Sequence, residues 1–411
     1  MNFFAVIKNT LWQSIARLFS SFIGFLITII IASHFGVLGY GDFVKITSFV
    51  APFYLLIDFG LNAFYLQLEN KQYSKLFWLR IYIAFITFAL INFINLFLPY
   101  DSVLNSGYSP SVKMGIFIFS FSAFSQAIIF SSLAVFQERL RYLSYMVSII
   151  LGSIINIFLV LIMALSNNQI NYVILAFVLS GFSTALLAAI FLKEKISMPK
   201  VNYLFSKKLL IESFPLALML FFNLIYFRID SIILALLKST GDVGIYGLSY
   251  KFFDFLIALP LFLSNSLYPI LLQNQKNYRK LKLIIRNYSL VFLFFGIVLI
   301  IPFWFFSPFF SLIKEDFVKS VLPFRILLLS LPFFFISSFL QWVLISFKDQ
   351  KFLTLIYFVC AVFNIVLNLI FIPQYSYIAA AIITIASEGL VVLLLLIRLI
   401  LQKNIRTGAG I

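Results

Sequence analysis

The chain reads as long apolar runs separated by short polar segments. A bilayer-crossing helix needs about 20 mainly apolar residues. Twelve such runs are present, at about 11–33, 43–66, 77–98, 113–136, 143–165, 171–192, 213–237, 244–272, 287–310, 321–346, 352–372 and 377–400. They are too long for barrel strands and lack period-2 alternation, so they predict helices. The first run follows Lys8, exceeds a signal-peptide core and has no small-residue cleavage site after it, so it is read as a span. The longest polar connection, 193–212, comes after the sixth run. The pattern therefore predicts an all-α integral membrane protein with 12 transmembrane helices. It divides into an N-terminal lobe (1–195), a cytoplasmic linker (196–212) and a C-terminal lobe (213–411).

The halves echo each other. Tyr40-Gly41 followed by Lys45 returns as Tyr246-Gly247 followed by Lys251, 206 residues later. Asn156 and Gly181 stand 25 apart, as do Asn364 and Gly389, at an offset of 208. An even number of spans per half makes the repeat parallel, and transporters built this way bind substrate between the halves.

Composition sharpens this picture. The 411 residues are 63% hydrophobic and 11% charged, against about 45–50% and about 25% in soluble domains. A water-soluble, disordered or single-anchor protein is excluded. The formal charge of +16 would suggest nucleic acid in a soluble protein. Here it follows topology: with the N-terminus in the cytoplasm, 21 of the 30 Lys and Arg fall in cytoplasmic segments. Only Lys113, Lys238, Lys314 and Lys319 fall outside. That asymmetry predicts cytoplasmic N- and C-termini and removes the nucleic-acid reading. One cysteine, Cys360, and one histidine, His34, give no zinc-binding cluster. No phosphate-binding loop, nucleophile elbow or zinc-protease helix occurs, so no cofactor, metal or catalytic function is expected.

Nine charged residues lie inside the spans, away from their ends or near an end with a matching partner: Arg17, Lys45, Asp58, Arg228, Asp230, Lys251, Asp254, Arg325 and Glu388. A charge at a helix centre costs about 2.5–3.5 kcal/mol on insertion scales, so such residues face a wet cavity or a partner. Arg228 and Asp230 point to different faces, whereas Lys251 and Asp254, at i and i+3, share one. Two readings stay open. These groups either line a cation-rich cavity with titratable acids, suited to an anion, or form interhelical pairs. Arg325 and Glu388, late in the repeat, fit the structural reading better.

The residues also carry a family resemblance. Asn9 through Gly41 is similar to an opening span and a Phe-Gly-x-x-Gly-Tyr-Gly turn, and Asp58-Phe59-Gly60-Leu61 to an Asp-x-Gly-Leu element ending span two. Pro215, Arg228-Ile229-Asp230, Gly244-Ile245-Tyr246 and Pro269 follow the same pattern, as do Asn364, Asn368, Ile372-Pro373 and Ala379-Ala380-Ala381. Ser376-Tyr377-Ile378 departs from the usual Gly of that last turn. The chain resembles the polysaccharide-exporting branch of the MOP superfamily, in particular Wzx-type O-antigen flippases. The resemblance implies export of undecaprenyl-diphosphate-linked oligosaccharide across the bacterial inner membrane, without ATP hydrolysis and coupled to an ion gradient. It implies substrate contacts at Arg228, Lys251 and Lys45, and proton coupling at Asp230 or Asp58; as intramembrane charges, Arg17 joins the candidate substrate contacts and Asp254 the candidate coupling acids. Expected partners are the lipid-linked glycan, membrane lipids and the polymerase of the same glycan pathway. The alternatives are a multidrug and toxin exporter of the sister branch, or a lipid II-type flippase, whose two additional spans find no room here. A glycosyltransferase is disfavoured because the outer loops, about 99–112 and 311–320, are short.

Overall fold

Water is absent from a bilayer core, so a spanning segment must satisfy its own backbone groups, and continuous helices do so. The computed structural model describes residues 3–69, 71–166, 169–194, 197, 203–275 and 277–408; the side chains of 3–18, 203–204, 262, 265–266, 278 and 402–408 lie outside the description. The first helices are α1 (Phe3–Val50), α2 (Tyr54–Asp58), α3 (Leu61–Tyr65) and α4 (Tyr73–Phe97). There follow α5 (Pro110–Ser120), α6 (Ser122–Glu138), α7 (Tyr142–Ser166) and α8 (Ile170–Leu192). The second half holds α9 (Tyr203–Leu237), α10 (Thr240–Gln273), α11 (Tyr278–Phe306), α12 (Phe310–Ile313), α13 (Val321–Leu328), α14 (Leu331–Ser346) and α15 (Gln350–Gly408). An antiparallel pair, β1 (Tyr100–Asp101) and β2 (Ser106–Gly107), interrupts the otherwise helical chain.

Among the described residues nine helices are long and apolar enough to cross a membrane. They become ten when the pair Glu315–Leu328 and Leu331–Ser346, bent by 46°, is taken as one span. Two of these helices contain a break. Gly36 in α1 has φ 66° and ψ −168°, and Ser376 in α15 has φ 51° and ψ −137°. Both breaks fall where the hydropathy pattern ends one run and begins the next: α15 carries two sequence-predicted runs, and α1 carries the first run and the start of the second, which α2 and α3 continue. Of the expected linker, residues 196 and 198–202 lie outside the description, and the part from Tyr203 is already the start of α9.

The chain forms two compact units: Met1–Leu220 with Ser239–Gly244, and Phe221–Lys238 with Ile245–Ile411. In the first unit α7 packs on α8 and α1, and α6 lies against α4 and α8. Helix α4 is inverted relative to a soluble helix. It buries Arg80, Thr87 and Asn95 along with Ala84 and Ile91, and exposes Phe85, Ile86, Phe93 and Phe97. The spacing of the buried set, three or four residues, makes it one face. Polar groups turned inward and aromatic groups turned outward are what a hydrocarbon solvent selects. The short segment 239–244 is held in this unit by a bridge from Ser239 to Ser106. It is also held by close packing, because a Cβ at Gly41 would lie 2.1 Å from the Thr240 carbonyl oxygen. In the second unit α11 packs on α14, and α13 and α14 pack on α15. Phe252, Phe310 and Phe324 cluster there, with ring centroids 4.5–6.2 Å apart.

The two breaks differ in cost. Glycine takes a positive φ freely, but Ser376 carries a Cβ there, and its buried hydroxyl has no hydrogen-bond partner among the described residues. Ser376→Gly removes both penalties and is expected to stabilise the protein by about 1 kcal/mol. Thermal unfolding of the purified protein checks this; an unchanged or lower melting temperature would refute the strain.

Candidate functional site

The charged residues buried in the first unit are held by protein groups. Lys45 follows Gly41 by one helical turn, on the same face. The missing Cβ at Gly41 lets Thr240 approach, and the Lys45 ammonium donates to the Thr240 hydroxyl (2.7 Å) and to the Gly107 carbonyl (2.7 Å). The side chain is 1% exposed. Lys45 thus ties three chain segments together, and the ammonium expected as a substrate contact is hydrogen-bonded to protein groups here.

Arg80, counted in the sequence as a topology charge, is fully buried instead. The helix breaks at Phe59 and Gly60, both left-handed, just after α2. A helix end leaves carbonyls without intrahelical donors. The guanidinium supplies donors to the Ile57 carbonyl (3.2 Å) and the Asn62 side chain (2.8 Å), with the Asp58 carboxylate 3.9 Å away. Asp58, expected as a coupling acid, is therefore an ion-pair partner of Arg80 and is part-exposed. The sequence signal for Arg80 lay in its spacing from Thr87 and Asn95, a polar stripe on an apolar helix.

In the second unit Arg228 and Asp230 diverge, as their spacing requires. Asp230 turns inward, where it accepts from the Tyr246 hydroxyl and from the Ser231 backbone N–H (2.7 Å). Arg228 pairs with the Asp254 carboxylate at 3.0 Å and stacks 5.2 Å from the Tyr250 ring. The predicted pairing of Lys251 with Asp254 gives way to this bond. Lys251 stays on the same face of α10 as Asp254 and close enough to be felt by both charges of the pair. The Arg228 side chain is 40% exposed, so this pair is open to exchange where Lys45 and Arg80 are not. Asp230 also lies within electrostatic reach of Arg228, so the cluster holds two cations and two carboxylates, and the part-exposed guanidinium is the group able to take an anion in a bidentate fork.

Arg325 donates to the Ser307 hydroxyl (2.9 Å) and lies 4.9 Å from the Trp304 ring, a structural placement. The Arg17 side chain lies outside the described residues. Glu388 is 1% exposed and accepts from the hydroxyls of Tyr226 and Ser337. Among the described residues no group of three or more His, Cys, Asp or Glu is arranged to hold a metal ion.

These placements separate stability from function. Lys45→Met leaves the Gly107 carbonyl and Thr240 hydroxyl without their donor, at an expected cost of about 1–3 kcal/mol. The measurement is the unfolding midpoint in detergent; an unchanged midpoint would show that the ammonium does not hold the 239–244 segment.

Comparison with known proteins fits this architecture. The sequence pattern of the polysaccharide biosynthesis protein family matches residues 6–275. The MatE pattern matches residues 215–370. No curated protein matches the chain. Among solved structures, the lipid II flippase MurJ in an inward closed conformation superposes with a TM-score of 0.72 at 18% identity, covering 94% of this chain and 87% of that one. An inward-facing multidrug resistance MATE family transporter of the MOP superfamily gives 0.70 at 14% identity, over 94% and 96%. A MOP superfamily transporter from Pyrococcus furiosus, described as having a binding pocket of reversed polarity, gives 0.61 at 12% identity, over 95% of each chain. At such identities these likenesses establish the fold, while the family match spans well over half of the sequence. The chain is a multi-pass membrane protein of the polysaccharide biosynthesis protein family, built on the fold of MOP superfamily transporters.

Proposed function

We propose that the protein is a flippase for undecaprenyl-diphosphate-linked oligosaccharide repeat units, precursors of O-antigen or capsule. It moves them from the cytoplasmic to the periplasmic leaflet of a bacterial inner membrane. In this reading the chain crosses the membrane twelve times as two parallel six-helix lobes with both termini cytoplasmic. The family match supports a role in glycan assembly, and the fold supports transport. The observation that carries the reading is the Arg228–Asp254 pair with Lys251 beside it, part-exposed on membrane-spanning helices.

The pair suggests how cargo and coupling are linked. A diphosphate offers Arg228 a bidentate partner and competes directly with Asp254. Once displaced, Asp254 turns to Lys251 on its own face or takes a proton. Cargo binding and ion binding then exclude or favour one another through one guanidinium, with no nucleotide required. Asp230 and Asp58, already held by Tyr246 and Arg80, serve in this scheme as fixed charges that set the local field. The polymerase of the same glycan pathway is a proposed partner.

Arg228→Ala and Lys251→Ala are each expected to abolish or strongly reduce surface glycan in a deletion strain complemented at normal protein levels. Glycan display by electrophoresis and blotting checks it; full display from both variants would sink the anion-site reading. The MatE match makes a multidrug exporter the alternative. A deletion strain with intact surface glycan but new sensitivity to cationic dyes would put that reading in place of ours.

A further inference from the structure

The second unit contains a cavity of about 160 Å³, open on one side and lined from α9, α10, α14 and α15. Among the described residues its only charged lining residue is Glu388, and no Lys or Arg lines it. Glu388 uses one carboxylate oxygen for the Tyr226 hydroxyl and the other for the Ser337 hydroxyl. A carboxylate has about four lone-pair positions, so two remain for a ligand. Around it stand Asn223, Ser338, Gln341 and the Tyr357 hydroxyl. None of these four makes a side-chain hydrogen bond among the described residues. Aromatic faces close the walls, with the Phe227 and Phe334 rings 5.7 Å apart.

Each feature narrows the occupant. A phosphate or diphosphate is repelled by Glu388 and finds no cation. A greasy ligand would leave two amides and two hydroxyls unpaired, a large penalty away from water. A metal ion would find one carboxylate where it needs several strong ligands. The volume suits one six-membered ring, since a cavity of about 150 Å³ accepts benzene. Planar amides offer a donor and an acceptor side by side, the carboxylate accepts from O–H groups, and ring faces cover C–H groups.

We propose that this pocket binds a single pyranose ring lacking an acidic substituent, as a specificity subsite separate from the Arg228 cluster. The inference rests on the glycan-transport reading: the ring is one sugar of the cargo whose diphosphate Arg228 and Lys251 hold. The chemistry also sets a rejection rule, because an acidic sugar would bring a second carboxylate against Glu388.

The test uses the purified full-length protein in lipid nanodiscs and calorimetric titration. The probes are a panel of neutral and amino methyl pyranosides, methyl glucuronide, inorganic pyrophosphate and sodium chloride. At least one neutral or amino pyranoside is expected to bind saturably, and methyl glucuronide is not. Gln341→Ala and Glu388→Ala are each expected to weaken the pyranoside by about tenfold, the loss of a buried hydrogen bond, and to leave pyrophosphate binding unchanged. Should Glu388→Ala fail to fold, Asn223→Ala and Gln341→Ala carry the test, because neither side chain makes an internal hydrogen bond among the described residues. The proposal is overturned if no pyranoside binds, if the variants bind as well as the parent, or if the pocket responds to sodium alone. Loss of pyrophosphate binding in Arg228→Ala reports on the flippase reading by itself, so the two ideas fail separately.

Discussion

Everything in this protein follows from one constraint: a polar group inside a bilayer has no water to fall back on. A backbone N–H or C=O left unpaired there costs several kcal/mol, and a charge costs at least as much. Continuous helices answer the first demand. Where a helix breaks, the freed groups need a substitute, and Arg80 shows how it is supplied. Its guanidinium reaches from α4 to the carbonyl left free by the left-handed pair Phe59 and Gly60. The buried charge and the broken helix satisfy part of each other's demand, and the Asp58 carboxylate nearby offsets the charge, although the Arg80 Nη1 has no hydrogen-bond partner among the described residues.

The same reasoning sorts the intramembrane charges into two kinds. Lys45, Arg80, Asp230 and Arg325 each have hydrogen bonds to protein that explain their presence. Their partners lie far away in sequence for Lys45 and near for Arg80. Arg228, Asp254 and Lys251 form a set in which the guanidinium is part-exposed. Glu388 is a third case, fully buried yet beside a pocket where Asn223, Ser338, Gln341 and Tyr357 make no side-chain hydrogen bond among the described residues. A ligand or water can complete polar groups that line a cavity or stay part-exposed, which is why those two places bear the functional argument.

Much of the architecture was legible in the residues. Apolar run lengths located the spans, including the breaks inside α1 and α15 at Gly36 and Ser376, because the hydrocarbon thickness imposes a length on every crossing. The divergence of Arg228 and Asp230 followed from helix geometry at a spacing of two. The partners did not follow. Lys251 and Asp254 satisfied the local rule for an ion pair, yet Asp254 bonds to Arg228 on a neighbouring helix. Local spacing permits a contact; which of several permitted contacts forms depends on how the helices are rotated against each other. Arg80 was read as part of the address on the cytoplasmic face because a composition rule counts charges without seeing which way they turn.

Composition and run length dictate the solvent: a helical membrane protein with an uneven spread of basic residues and a few charges that topology does not explain. Those properties are additive over residues, so a linear reading recovers them. Packing in three dimensions sets which of those charges are spent on protein and which remain available. It closed Lys45 between a loop carbonyl and a threonine 195 positions away, and it gathered Asn223, Ser338, Gln341 and Glu388 from three helices onto one pocket. Hydrogen bonds are short-ranged and directional, so their pattern is a property of packed surfaces, and no spacing along one chain contains it.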